Sequence, residues 1–272
     1  VVFPDDSGPY TSIMLPLGTP PTPRATSKDK HPDETEFSNV GVNSTPTRII
    51  EQLQNSISLR VIANTNAIVG FQAGTSITEG SNNTCIGTDA GSSITTGGNN
   101  VAVGNEALTS NTTSNGNTAI GFYALRVNTA AKNTAVGTNA GLSVTTGVEN
   151  TVVGYNALDA CTTGGENTAV GEQALTTVTT GNNNTAVGRM ALRLTTGSDN
   201  TAVGRESCRD ATTGSYNSMF GRSAAENMTT GSNNTCLGSN AGRYSDPFQL
   251  TSQDNRVVIG DGSVTNAYIT VD

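Results

Sequence analysis

The sequence predicts an all-β fold, a parallel β-solenoid, and three observations carry that prediction. The first is a phrase that returns at fixed spacing: Asn133-Thr134-Ala135-Val136-Gly137, then Asn167 to Gly171, Asn184 to Gly188 and Asn200 to Gly204. Its closing glycine falls at 70, 87, 104, 121, 137, 154, 171, 188, 204, 221 and 238, in steps of 17 or 16 residues, and a stretched copy closes at Gly260. The second is composition. With 31 glycines, no tryptophan and 34% hydrophobic residues, the chain is poor in helix formers, which argues against a helical repeat. The third is that the apolar residues keep one register within the repeat, which a disordered chain of low hydrophobicity has no need to do. Each repeat is therefore read as one rung that buries its apolar side only by stacking on its neighbours. About twelve rungs of 16–17 residues are expected, eleven of which at about 4.8 Å per rung give a rod of roughly 50 Å.

The elements follow in order. Residues 1–46 hold eight of the nine prolines and a scatter of acids, so they cannot build a core and are expected to form an extended docking arm. Residues 47–62 make a transition. Thr45 suits a helix cap and Pro46 its first turn, and Ile49, Ile50, Leu53 and Ile57 recur at helical spacing, so a short helix or cap is expected before a first strand at Leu59 to Ile62. Residues 63–243 are the solenoid. Each rung reads as the Asn-Thr-Ala-Val-Gly strand, then Ala-Leu as in Ala157-Leu158, then Thr-Thr-Gly as in Thr145-Thr146-Gly147, Thr162-Thr163-Gly164 and Thr195-Thr196-Gly197. Glycines are expected at corners that need positive φ, and asparagines in hydrogen-bonded ladders. Residues 244–272 break the period with Tyr244 to Phe248 and are read as an irregular closing rung and a terminal strand.

Strand neighbours point to opposite faces. In Ala135-Val136 both are apolar, and nearly every rung repeats this. One faces inwards, so the other makes an outward apolar stripe, here Val103, Ile120, Val136, Val153, Val170, Val187 and Val203. Such a stripe is naturally covered by identical rods, and a homotrimer around a shared axis is the most economical arrangement.

Composition also sets bounds. A net charge of −8 without a long basic run does not favour nucleic-acid binding, and no 18-residue apolar stretch predicts membrane insertion. No signal peptide is recognised, and a start at Val1 leads to the expectation of a piece of a longer product. Cys85 and Cys236 occupy the alanine place of the phrase, Cys208 the leucine place, and Cys161 precedes a Thr-Thr-Gly; they are read as small core residues without metal spacing. No cofactor is expected.

The rungs resemble those of trimeric autotransporter heads of the YadA type and similar repeats in viral and phage tail fibres. Asn255-Arg256-Val257-Val258-Ile259-Gly260-Asp261-Gly262 with Ala267-Tyr268-Ile269 is similar to the segment that precedes the intramolecular chaperone in many such fibres. The resemblance covers residues 63–272. It implies a left-handed β-roll, three chains around one axis and an attachment role.

Candidate chemistry is sparse. Arg189, Arg205 and Arg222 share one place in successive rungs, and Arg193 and Arg209 another. Stacked like charges repel unless something neutralises them, so this cluster is read either as an anionic-ligand patch or as a surface salt-bridged by Glu206, Asp210 and Glu226. Glu172, Glu206 and Glu226 are the carboxylates that a glycosidase pair would use. His31 is the one histidine, in the arm, and a triad through it is not expected. The Thr-Thr-Gly column offers a flat array for ice or crystal surfaces. Asn43, Asn82, Asn111, Asn183, Asn227 and Asn233 fit the glycosylation pattern, which so Asn- and Thr-rich a chain also meets by chance. The expectation is a non-enzymatic attachment fibre or spike, on a virion or cell surface or outside the cell. Residues 1–46 would dock it to a base, capsid or surface protein, and a glycan is the expected class of receptor. The alternative is a filament subunit joined end to end through the arm, and a surface-binding or depolymerising solenoid ranks below both.

Overall fold

A computed structural model of the chain describes residues 59–60, 65–243 and 249–264. The arm, the expected helix over 47–62 save its last strand residues, His31 and the terminal strand lie outside the described residues.

The fold is an all-β parallel solenoid without a helix among those residues. Thirteen short strands form one sheet in sequence order, β1 (Leu59–Arg60), β2 (Ala67–Val69), β3 (Thr84–Ile86), β4 (Val101–Val103), β5 (Thr118–Ile120), β6 (Thr134–Val136), β7 (Thr151–Val153), β8 (Thr168–Val170), β9 (Thr185–Val187), β10 (Thr201–Val203), β11 (Ser218–Phe220), β12 (Thr235–Leu237) and β13 (Val257–Ile259). From β2 onward every pair is parallel and in register, as in Ala135 beside Val152. β1 alone runs antiparallel, pairing Leu59 with Val69. Ten turns of 16 or 17 residues separate the glycines from Gly70 to Gly238, fewer than the twelve rungs expected, and one of 22 residues closes on Gly260.

From β2 onward each strand is three residues long because its flanks are fixed. The asparagine before it is buried and spoken for. Asn150 donates its backbone N–H to Asn133 Oδ1 at 2.9 Å and its side-chain amide to Gly164 O at 3.0 Å, and the same pattern runs from Asn66 to Asn234. Every turn thus holds an interior amide with its partners satisfied, each bond contributing about 1 kcal/mol and each partner costing more if left unpaired. The ladder ends where Arg256 takes the asparagine's place and donates its N–H to Asn234 Oδ1 at 2.9 Å. Asn255 sits one place earlier than the ladder position, with φ of 59°.

The glycine after the strand is required twice over. At Gly154 φ is 138°, and a Cβ there would lie 2.5 Å from Gly171 O in the next turn. The glycine of Thr-Thr-Gly is different. Gly147 has no positive φ, but a Cβ would collide with Gly164 O, so close stacking alone selects it. Left-handed backbone is instead carried mostly by other residues. Each turn has three such places, for example Asn156, Leu158 and Glu166, with φ of 50°, 49° and 58°. Each costs about 1 kcal/mol or more in isolation and is held by the stacked neighbours.

The core is a narrow column. The middle strand residue, Ala135 or its counterparts, is fully buried, and so is the alanine that follows the corner, such as Ala140 and Ala157. The next inward place is glycine in some turns and leucine in others, and the place three residues on compensates. Gly91 goes with Ile94 and Gly141 with Val144; Leu108 goes with Asn111, Leu158 with Cys161 and Leu192 with Thr195. A Cβ on Gly91 would lie 2.8 Å from Ile94 Cδ1, so both places draw on one volume. Leu175 with Val178 is the fullest turn. Cys208 and Ala211 are both small, and Met219, the middle residue of the adjacent strand, is larger than the usual alanine and fully buried. Thr195 is therefore a core residue, and Thr195-Thr196-Gly197 is out of step with its look-alikes because its turn has 16 residues.

Candidate functional site

The surface of the solenoid divides sharply by polarity. Among the described residues thirteen large hydrophobic side chains are exposed, and all but Val264 lie on the outer strand face or within three residues of it. Ile86, Ile120, Val153, Phe220, Leu237 and Ile259 close their strands and point outwards, with Val103, Val136, Val170, Val187 and Val203 half-buried in the same column. The alternation is set by the pleat: in β7 Val152 is buried while Thr151 and Val153 face out. The stripe named from the sequence is thus a continuous apolar ladder on the outside.

Two margins flank this face. The leading margin precedes each strand and carries Lys132, Glu149, Glu166, Asp199 and Tyr216, all in left-handed conformation. The trailing margin follows the corner glycine and carries Phe71, Phe122, Tyr155, Glu172, Arg189, Arg205 and Arg222. Phe71 is 63% exposed and Tyr216 65%, large values for aromatic side chains. Phe122 stacks on Tyr123 with centroids 3.8 Å apart, and the Arg126 guanidinium lies 4.6 Å from the Tyr123 ring.

The arginines are largely engaged within the chain. Arg189 stands 3.5 Å from Glu172 and 3.4 Å from Glu206, and Arg205 3.1 Å from Glu206. Arg209 pairs with Asp210 at 2.8 Å and with Glu226. Arg243 reaches Glu226 Oε2 by its Nε at 2.6 Å, an ion pair whose N–H is not aligned for a hydrogen bond. Glu226 is therefore a buried carboxylate held between arginines of two neighbouring turns. Arg193 keeps a buried Nε without a hydrogen-bond partner, and Arg222 is exposed with no ion pair among the described residues.

The other candidates are placed as follows. Of the three glutamates considered for glycosidase chemistry, each faces an arginine. The hydrogen bond from Arg205 holds the Glu206 carboxyl below the usual range, opposite to what a general acid needs. Burial pushes the Asp159 carboxyl up, and its Oδ1 has no hydrogen-bond partner. On the threonine face the first hydroxyl of each pair is committed to the scaffold: Thr145 donates to Thr162 O at 2.8 Å and Thr212 to Thr229 O at 3.0 Å. Only the second threonine, such as Thr163, is free to meet a surface. Asn111 is buried, with its amide donating to Ser114 O, whereas Asn82, Asn183 and Asn233 are exposed. All four cysteines are buried thiols, and no cluster of metal-ligand residues is present among the described residues. No family model, curated protein or solved structure matches the chain.

Sequence reasoning found the stripe but not its margins. The signal was present: the residue after the corner glycine is aromatic at three corners of the first half, Phe71, Phe122 and Tyr155, and arginine at three of the second, Arg189, Arg205 and Arg222.

Proposed function

We propose that this chain is a non-enzymatic structural subunit of an attachment fibre or spike. Three copies pack their outer strand faces around one axis as left-handed rolls, projecting from a virion or cell surface. The observation that carries the reading is the segregation of exposed apolar side chains to the strand face and its margins. A lone rod has no reason to gather them there, and water contact with such a ladder is unfavourable by about 25 cal/mol per Å². The role of residues 1–46 in docking to a base or surface protein, which rests on their proline-rich composition, and that of a glycan as receptor belong to the same proposal.

The test is the mass of the native particle by light scattering on the untagged chain. A value near three times 27.8 kDa is expected. A monomer would overturn the reading. Open-ended assemblies would favour a filament joined end to end, a reading that draws on the rise in exposure toward the last strand, from 37% at Val153 to 59% at Ile259.

A further inference from the structure

We infer that Asp159 is a proton-controlled fastening in the solenoid: as a neutral acid it donates its O–H to Asn156 O, and on ionisation it loses that bond and loosens the turn between β7 and β8. The inference stands apart from the proposed seam and holds for one copy or several.

A comparison of turns carries it. The carbonyl two places after the corner glycine needs a donor, and the two kinds of turn supply it differently. Where the inward place is glycine, the backbone folds back to it. Ser92 N–H donates to Asp89 O at 3.3 Å, Leu142 N–H to Asn139 O at 3.3 Å and Arg243 N–H to Asn240 O at 3.0 Å. Where the inward place is leucine, the side chain five places after the corner glycine takes over. Thr109 donates its hydroxyl to Glu106 O at 2.7 Å, and Thr176 to Gln173 O at 2.8 Å. Arg126 and Arg193 hold the same place in their turns, and Arg209 in the turn of Cys208, so each has hydrogens to give. Asp159 is the exception. As a carboxylate it sets an acceptor where every other turn of this kind sets a donor.

Nothing around it repairs the mismatch. Asp159 Oδ1 is buried without a hydrogen-bond partner, and so is Asn139 Oδ1 in the preceding turn. Asn139 spends its amide on Asn156 Oδ1 at 2.9 Å. Among the described residues Asn156 O is reached only by Thr176 Oγ1 of the next turn, at 3.5 Å, too long for more than a weak bond. The places that flank Asp159 carry Asn139 and Leu142 in the turn before and Gln173 and Thr176 in the turn after, none of them titratable. Tyr155 and Glu172 stand one place beyond, and Glu172 already has Arg189 at 3.5 Å. Arg126 and Arg193, in the column of Asp159 itself, are each two turns away, roughly 10 Å. Burial raises the carboxyl above its usual range, against a weaker pull from the backbone N–H groups of Asp159 and Ala160. Below the usual carboxylate range folded and unfolded chains both carry the proton, and the bond is fully in place. As pH rises through the raised value the folded turn gives up the proton and the bond with it, so the turn is held more tightly in acid.

The experiment compares the full chain with Asp159→Thr, which gives this turn the residue that serves at Thr109 and Thr176. Urea unfolding is followed by circular dichroism at one chain concentration, from about pH 7.5 down to about pH 3.5. Every other titrating group is common to both chains, so the gap between them reads Asp159 alone. The gap is expected to be smallest at the acid end. By the neutral end the unfolding constant of the parent is expected to stand about tenfold above that of the variant, the cost of one buried acceptor left unpaired. Asp159→Asn, which has an N–H to give and carries no charge, guards against a threonine that packs badly, and its gap from the parent is expected to open over the same range. A gap that stays constant with pH for both variants, or closes as pH rises, overturns the inference. So does a parent midpoint at neutral pH that calcium chloride raises while leaving both variants unchanged, since a cation would then meet these oxygens in place of the proton.

Discussion

In the turns that carry Gly91 and Gly141 the core is filled from one side, by Ile94 and Val144. In the turns that carry Leu158 and Leu192 it is filled from the other, and Cys161 and Thr195 stand where the larger residue stood. Both kinds share the strand, the buried asparagine and the corner glycine, and they stack on one another without a break in register. The difference shows what the repeat holds constant. It is the volume of the column and the path of the backbone, not the residue at each place. Even the left-handed conformation is held constant, with φ of 60° at Gly141 and 49° at Leu158. Leucine accepts an unfavourable backbone there because its side chain is fully buried, a gain of about 1.5–3 kcal/mol that offsets roughly 1 kcal/mol of strain.

The largest effect is expected where the two kinds of turn do not differ. Gly87 belongs to a glycine-type turn and Gly154 to a leucine-type turn. In each, φ lies between 125° and 138°, and a Cβ would sit 2.7 or 2.5 Å from the carbonyl of the next corner glycine. Gly87→Val and Gly154→Val are each expected to cost more than about 4 kcal/mol, backbone strain adding to overpacking against main chain that has nowhere to move. Circular dichroism through a urea titration checks this. Tolerance at one site and not the other would mean that the corner, too, comes in two kinds.

The next effect addresses the difference itself. Leu158→Gly empties a place that lacks a second filler and is expected to cost about 3 kcal/mol in unfolding free energy. Adding Cys161→Ile converts the turn to the other kind and is expected to return most of that loss, to within about 1 kcal/mol of the parent. Cys161→Ile alone overfills the turn. A double-mutant cycle measures the coupling directly; additive losses would show that the two places do not share volume.

Much of this was legible in the sequence and some was not. The spacing of the closing glycines gave rung length and register because parallel stacking demands equal steps. The pairing of Ala135 with Val136 gave an inward and an outward residue because the pleat has period two. What escaped is whatever depends on the path between strands. Thr195-Thr196-Gly197 reads like every other Thr-Thr-Gly, yet a turn shorter by one residue draws Thr195 into the core. Asn255 looks like the ladder asparagine, yet one extra residue gives that place to Arg256. The Thr-Thr-Gly glycines look like positive-φ corners but are chosen by close stacking. The arginine column is equally visible in the sequence, but only the structure shows Arg189 and Arg205 reaching Glu206, and Arg209 reaching Glu226.

Each kind of turn also has a cysteine at its core, and these give a smaller, pH-dependent effect. Cys85 packs beside Gly91 and Cys161 beside Leu158, and burial pushes both thiols up from 9.0 to about 11. Below pH 9 folded and unfolded chains both hold the protons and the cysteines make no difference. As pH rises from 9 to about 11 the unfolded thiols ionise while the buried ones do not, so folding loses stability across that window, on the order of 2 kcal/mol per thiol by its upper end. Urea midpoints at pH 8.5 and 11 measure the fall. Cys85→Ala and Cys161→Ala are expected to shallow it by similar amounts; if only one does, the two cores differ in how well they exclude the thiolate.

The smallest effect lies outside both kinds of core. Lys132 Nζ sits 2.8 Å from Glu149 Oε1 and ties a leucine-type turn to a glycine-type turn, with both side chains well exposed. The hydrogen bond to Glu149 raises the ammonium pKa, so the pair is real as geometry. It is also open to water and salt, and exposed pairs of long side chains gain little over their separate hydration. Lys132→Met is therefore expected to leave the urea midpoint unchanged at physiological ionic strength. A clear drop would assign the joining of unlike turns to surface charge rather than to the shared volume of the column, and the exchange between Leu158 and Cys161 would then no longer explain why the two kinds stack without a fault.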